Sequence, residues 1–142
     1  MSCDSPSSLT RSFVPDRSAP AAARSALGAL GGNLDAELRE RSELVLTEVM
    51  TNSVLHAGLT PTQRIGLEVS LSSELLRIEL TDDGLGFAPV PAASKPDQAA
   101  GGWGLWLVDQ LTDRWGVDFS RSSRVWLEFD RALSRPGERS AA

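Results

Sequence analysis

Residues 65–87 read IGLEVSLSSELLRIELTDDGLGF. Ile65, Leu67, Val69 and Leu71 alternate with Gly66, Glu68 and Ser70, and Leu76, Ile78 and Leu80 alternate with Arg77 and Glu79. Alternation puts the apolar side chains of a strand on one face, which must then lie on a core. Ser72, Ser73 and Glu74 between the two runs make them a hairpin. The second strand runs directly into Asp82-Asp83-Gly84-Leu85-Gly86-Phe87. An aspartate at a strand end can accept a hydrogen bond from an exocyclic amine, and flanking glycines let a flat ligand approach the backbone. A plain Asp-Gly turn has the same letters, so these residues alone leave both readings open.

Upstream, Leu9 to Val14 is a candidate strand, interrupted by Pro15 and Asp16. Asp16 or Ser18 can cap a first helix, with Pro20 near its first turn, that runs to about Leu30 and stops at Gly31-Gly32. A second helix starts near Asp35 and runs to about His56, with Gly58 just past its end. From Leu44 to Leu55 it reads LVLTEVMTNSVL, apolar on nearly every side, which predicts a helix sandwiched inside the fold. Downstream, Ala88 to Ala100 has no periodicity and carries Pro89, Pro91 and Pro96, which fits a mobile lid. Gly101-Gly102-Trp103-Gly104 opens a helix from Leu105 to about Leu111. Two closing strands follow, with Trp115, Val117 and Phe119 on one face of the first and Val125, Leu127 and Phe129 on one face of the second. The order β-α-α-β-β-α-β-β predicts an α+β fold, a layer of helices on a mixed, mostly antiparallel sheet. Residues 1–8 and 132–142 read as disordered tails around one domain over 9–131.

The chain has 142 residues, enough for one hydrophobic core and too few for two. Its net charge of −5 argues against binding a phosphate backbone. It has no apolar run long enough to span a membrane and no leader-like N-terminus, so the expected location is the cytoplasm. Cys3 and His56 are the sole cysteine and histidine, which excludes disulfides within the chain and metal sites built from several such residues.

Glu48, Asn52 and His56 are spaced by four and fall within an arc of roughly 80° on the second helix. A carboxylate and a carboxamide in so apolar a helix need partners. Asn52 could offer its carboxamide oxygen to a divalent cation, and Glu48 could act as general base. Against this, Glu48 could simply be exposed or salt-bridged. His56 reads better as a helix-end residue facing the last carbonyls. The glycine cluster at 101–104 offers free N–H groups at a helix start, which favour phosphate, or serves close packing. It is neither a Walker A motif nor a Rossmann fingerprint.

The order of these features resembles the GHKL (Bergerat) ATPases over roughly residues 10–130. EVMTNSVLH at 48–56 resembles their N-box, DDGLGF at 82–87 their G1 box, GGWGLWLV at 101–108 their G2 box, and VWLEF at 125–129 their final strand. The small size and DQLTDRWGV at 109–117 resemble the bacterial anti-sigma-factor serine/threonine kinases. The resemblance implies a two-layer α/β sandwich that binds ATP and Mg²⁺. It implies that Asn52 binds Mg²⁺, that Glu48 is the catalytic base, and that Asp82 contacts the adenine amino group. Gly84 and Gly86 would shape that pocket, and Gly102, Gly104 and Leu105 would lie at the phosphates. The implied partners are a sigma factor and an antagonist protein, with a second copy of the chain as a further candidate. Two departures stand out: Arg124 occupies the place where these relatives usually carry a threonine before Val-Trp, and Trp103 stands where arginine is frequent. An active kinase and a nucleotide-gated module that acts by binding alone both fit. Glu48 favours the first and Arg124 is the main mark for the second.

Overall fold

The structure is a computed structural model that describes residues 7–30, 34–56, 59–82, 103–118 and 123–131. In chain order these form β1 (Ser7–Phe13), α1 (Ala19–Leu30), α2 (Ala36–His56), β2 (Ile65–Leu71), β3 (Leu75–Asp82), α3 (Trp103–Leu111), β4 (Arg114–Asp118) and β5 (Ser123–Asp130). The sheet order is β1-β2-β3-β5-β4, and the four described ladders are antiparallel. The fold is the expected α+β two-layer sandwich with three described helices on one sheet. One boundary moves: Ser7 and Ser8, expected in a disordered tail, pair with Leu71 and Ser70 in β1. The expected lid over 88–100 and the tail from 132 lie outside the described residues.

Local signals explain the helix starts. The Asp16 carboxylate accepts the backbone N–H of Ser18 at 2.8 Å and also its hydroxyl, which closes a turn just before α1. Asp35 caps α2, its carboxylate accepting the N–H of Leu38 at 2.8 Å. Ala19, Ala23, Ala26 and Leu27 form the buried stripe of α1, where small side chains allow close packing. α1 packs on α2 and β1, α3 packs on α2 and β4, and α2 lies between them over β3.

The helix-facing side of the sheet carries Ile65, Leu67, Val69, Leu76, Ile78, Leu80, Val125, Leu127 and Phe129, all buried. From above, Val45, Leu46, Val49 and Met50 of α2 meet them at 0% exposure. The expectation that α2 is enclosed on nearly every side needs correction. Leu44 is 43% exposed and Leu55 65%. Among the described residues, neighbouring helices and the sheet cover three sides of α2 and nothing covers the fourth.

The outer side of the sheet has a belt of ion pairs. Arg77 reaches Glu128 at 2.6 Å and Glu79 at 3.4 Å, Arg114 reaches Glu128 at 2.9 Å and Asp130 at 2.5 Å, and Arg124 reaches Glu79 at 2.9 Å. Trp126 lies within this belt under the Arg77 guanidinium, 5.2 Å from the ring centroid. Its cross-strand partner is Gly116, where a Cβ would stand 2.6 Å from the indole ring. The glycine makes the room that the tryptophan fills.

Candidate functional site

At 100° per residue, helix geometry sorts the residues of α2 by direction. Relative to Leu44, Thr51 and Leu55 fall within about 20°, Glu48 at about 40° and Asn52 at about 80°. Val45, Leu46, Val49, Met50 and Ser53 point into the buried half. Thr47 lies on the α1 side, where its hydroxyl accepts a hydrogen bond from Arg24 at 3.0 Å. Glu48 thus borders solvent, and Asn52 sits on the seam between the open stripe and the core. Both are half-buried. Neither makes a hydrogen bond or ion pair among the described residues. Their neighbours differ: the Thr47 and Thr51 hydroxyls each donate to a carbonyl one turn back, at 2.7 Å. A carboxylate and a carboxamide with unused capacity, one turn apart, are what the sequence singled out. The partners it said they need are not within the described part of the chain.

Asp82 ends β3 and is 5% exposed. It is in phase with Leu76, Ile78 and Leu80, so its carboxylate is on the helix side of the sheet. Its ladder neighbours are Ile65 and Ser123, and Ser123 is 4% exposed. Asp82 and Ser123 form a polar end to an otherwise apolar surface. Arg124 does not belong to it. Arg124 pairs with Thr81 across the ladder, points to the outer face and binds Glu79. This departure from the family pattern is on the other side of the sheet from Asp82, because strand side chains alternate. Ser123 was missed, and the in-phase run Ser123, Val125, Leu127, Phe129 was the signal that could have found it.

The two ends of the sandwich can be told apart. A polar cavity of about 450 Å³ lies where the start of α2 meets the start of β4 and the end of β5, its lining including Asp35, Glu37, Arg41, Asp113, Asp130 and Arg131. Since β5 runs from Ser123 to Asp130, the cavity is at the end opposite Asp82 and Ser123. α2 starts at the cavity and climbs about 1.5 Å per residue. Its turns bearing Glu48 and Asn52 therefore lie toward the Asp82 end. α3 begins at Trp103, two residues earlier than expected, with Gly104 and Leu105 in its first turn. The N–H groups of that turn have no intrahelical acceptor, which favours an anion. Trp106 is half-buried, in keeping with a packing role. Gly84, Gly86, Gly102 and the side chains of His56, Trp103 and Leu105 lie outside the described residues.

The family model described as the histidine kinase-like ATPase domain matches residues 14–127. The chain belongs to that family. No curated protein matches it. Domains of this ATPase family bind ATP, typically with Mg²⁺, which supports an ATP-binding regulatory protein of kinase or ATPase type. The donor set fits that cofactor. No group of three or more acidic, histidine or cysteine side chains is gathered among the described residues. Mg²⁺ keeps several waters and takes phosphate oxygens, so it needs few protein ligands. Asn52, whose carboxamide has no partner among the described residues, could hold it as one of them. No helix among the described residues is long and apolar enough to cross a membrane.

Proposed function

We propose that this ATPase-family chain is a protein serine/threonine kinase of the anti-sigma-factor type, with an antagonist protein as phosphoacceptor and a sigma factor as its second partner. The observation that carries this reading is Glu48, a carboxylate at the solvent border of α2 with no partner among the described residues and one turn from Asn52. Asn52 would hold Mg²⁺, which supplies charge neutralisation at the phosphates. Asp82 would accept the adenine amino group, with Gly84 and Gly86 shaping that pocket, while Gly102, Gly104 and Leu105 would offer backbone N–H groups to the phosphates. The acceptor hydroxyl gives its proton to Glu48 as its oxygen bonds to the γ-phosphorus and the bond to the ADP oxygen breaks. Arg124 no longer favours the alternative, a module that acts by binding alone, since its side chain is on the outer face.

The test is mass spectrometry of candidate antagonist proteins, taken from genes neighbouring that of this chain, after incubation with the chain and Mg-ATP. A gain of one phosphoryl group on a serine or threonine is expected. Nucleotide binding with no transfer to any such neighbour would leave the binding module in place of the kinase.

A further inference from the structure

Among the described residues the exposed large hydrophobic side chains are Val14, Leu44 and Leu55. Two of these share one stripe of α2. Leu44 and Leu55 are eleven residues apart, which is three turns, about 20° and about 16 Å. Glu48 and Thr51 lie between them on the same open side. The other large apolar residues of the helix are turned into or against the core, so these two leucines are not its overflow. The Thr51 hydroxyl is bonded to the Thr47 carbonyl, which leaves Glu48 as the uncommitted polar group between them. The stripe continues toward the helix start through Glu40 and Glu37, both exposed. Arg41 turns away from it, with its guanidinium over the Phe129 ring, so with Glu48 the stripe carries three carboxylates.

We infer that this stripe is the docking surface for the protein that presents the acceptor hydroxyl, with one apolar side chain seated on Leu44, one on Leu55, and a neutral to basic rim facing Glu37 and Glu40. Water or a small alcohol gains nothing from two leucines about 16 Å apart on either side of a base. A folded protein does, because the anchors at both ends fix its hydroxyl in the middle, at Glu48. The acidic stripe selects a partner face of the opposite sign. The inference rests on the kinase reading for the identity of the hydroxyl, but docking is measured by itself.

The experiment is calorimetry between the full chain, saturated with Mg-ADP, and a candidate antagonist protein taken from a neighbouring gene. Leu44→Ser and Leu55→Ser should each weaken binding about tenfold, the value of one buried leucine. The pair together should weaken it about a hundredfold. Val14→Ser, at the third exposed site, should bind like wild type, and added salt should weaken all the complexes. Nucleotide affinity should not change. Equal binding by wild type and leucine variants, or no binding by wild type, overturns the inference. So does a drop in melting temperature of the leucine variants without a change in partner binding, which would mean that the chain itself covers the stripe. A loss of self-association in their place would assign the face to a second copy. Leucine-dependent binding without phosphate transfer upholds the docking surface and removes the kinase.

Discussion

The outer side of the sheet and the open side of α2 both set charged groups over an apolar layer, and they treat them in opposite ways. On the sheet, Glu128 serves two arginines, Arg77 serves two carboxylates and Arg124 is drawn to Glu79. Trp126 fills the gap that Gly116 leaves. On α2, Glu48 and Asn52 have no partner among the described residues, and two leucines face solvent. Closed networks of exposed charges add little stability per pair but present nothing to a ligand. Uncommitted polar groups beside exposed apolar ones cost stability, and they persist where something else is to be bound. The difference is the reason for placing the proposed site on the helix layer.

The largest expected effect is at Glu48. Glu48→Gln is near-isosteric and should cut phosphate transfer by about 10²–10⁴ while nucleotide affinity stays within a few-fold. Asn52→Ala should weaken Mg-nucleotide binding and abolish transfer. Transfer rates and calorimetry on the two variants separate base from ligand. Equal loss of nucleotide affinity in both would break the distinction between them.

On the other face, Gly116→Ala should displace the Trp126 ring, since the new Cβ would stand 2.6 Å from it. The ring loses its packing and its place under Arg77, a cost of about 1–3 kcal/mol. In a Trp126→Val background the same substitution should cost much less, a non-additivity that a denaturant cycle reads directly. Nucleotide affinity should not move. If it does, the outer face is part of the site and the contrast fails. A smaller effect is expected at the base of α2, where Asp35→Ala removes the cap on Leu38 and should cost about 1 kcal/mol.

What could be read from the sequence followed the type of regularity involved. Period-two alternation in β2, β3 and β5 fixed which face of the sheet is buried, because a one-residue slip would turn every apolar side chain outward. The start of α2 was legible at Asp35 for an equally local reason. The open stripe was only half legible. Thr47, Glu48, Thr51 and Asn52 share one arc of LVLTEVMTNSVL and mark the open side, but Leu44 and Leu55 lie on that same arc, and a stretch read as apolar on nearly every side hides it until α1 and α3 are packed. Gly116 beneath Trp126 depends on the register of two strands and was equally hidden. Arg124 is different. Its parity with Trp126 and Glu128, out of phase with the buried run, already sets it on the outer face, which its place in a motif does not reveal.

The smallest effect expected tests whether the ion-pair belt is as dispensable as the comparison implies. The hydrogen bond from Arg114, and then that from Arg77, hold the Glu128 carboxyl below its ordinary 4.5 against the opposing effect of burial. Arg114 does the same for Asp130, below its ordinary 3.8. A lowered folded-state pKa means stability that is whole above the unfolded value and is lost as pH falls through the folded one. The belt should therefore contribute fully at neutral pH and fade only below about 4.5. Glu128→Gln should flatten the acid limb of a plot of melting temperature against pH. At neutral pH it should lower the curve only slightly, because Arg114 is exposed and Arg77 and Glu128 are only part-buried, so water and salt still screen the pairs. The same variant should leave nucleotide binding and partner docking unchanged at every pH where the chain is folded. A large neutral-pH loss would mean that the belt carries the sheet, and the difference between the two faces would then be one of degree.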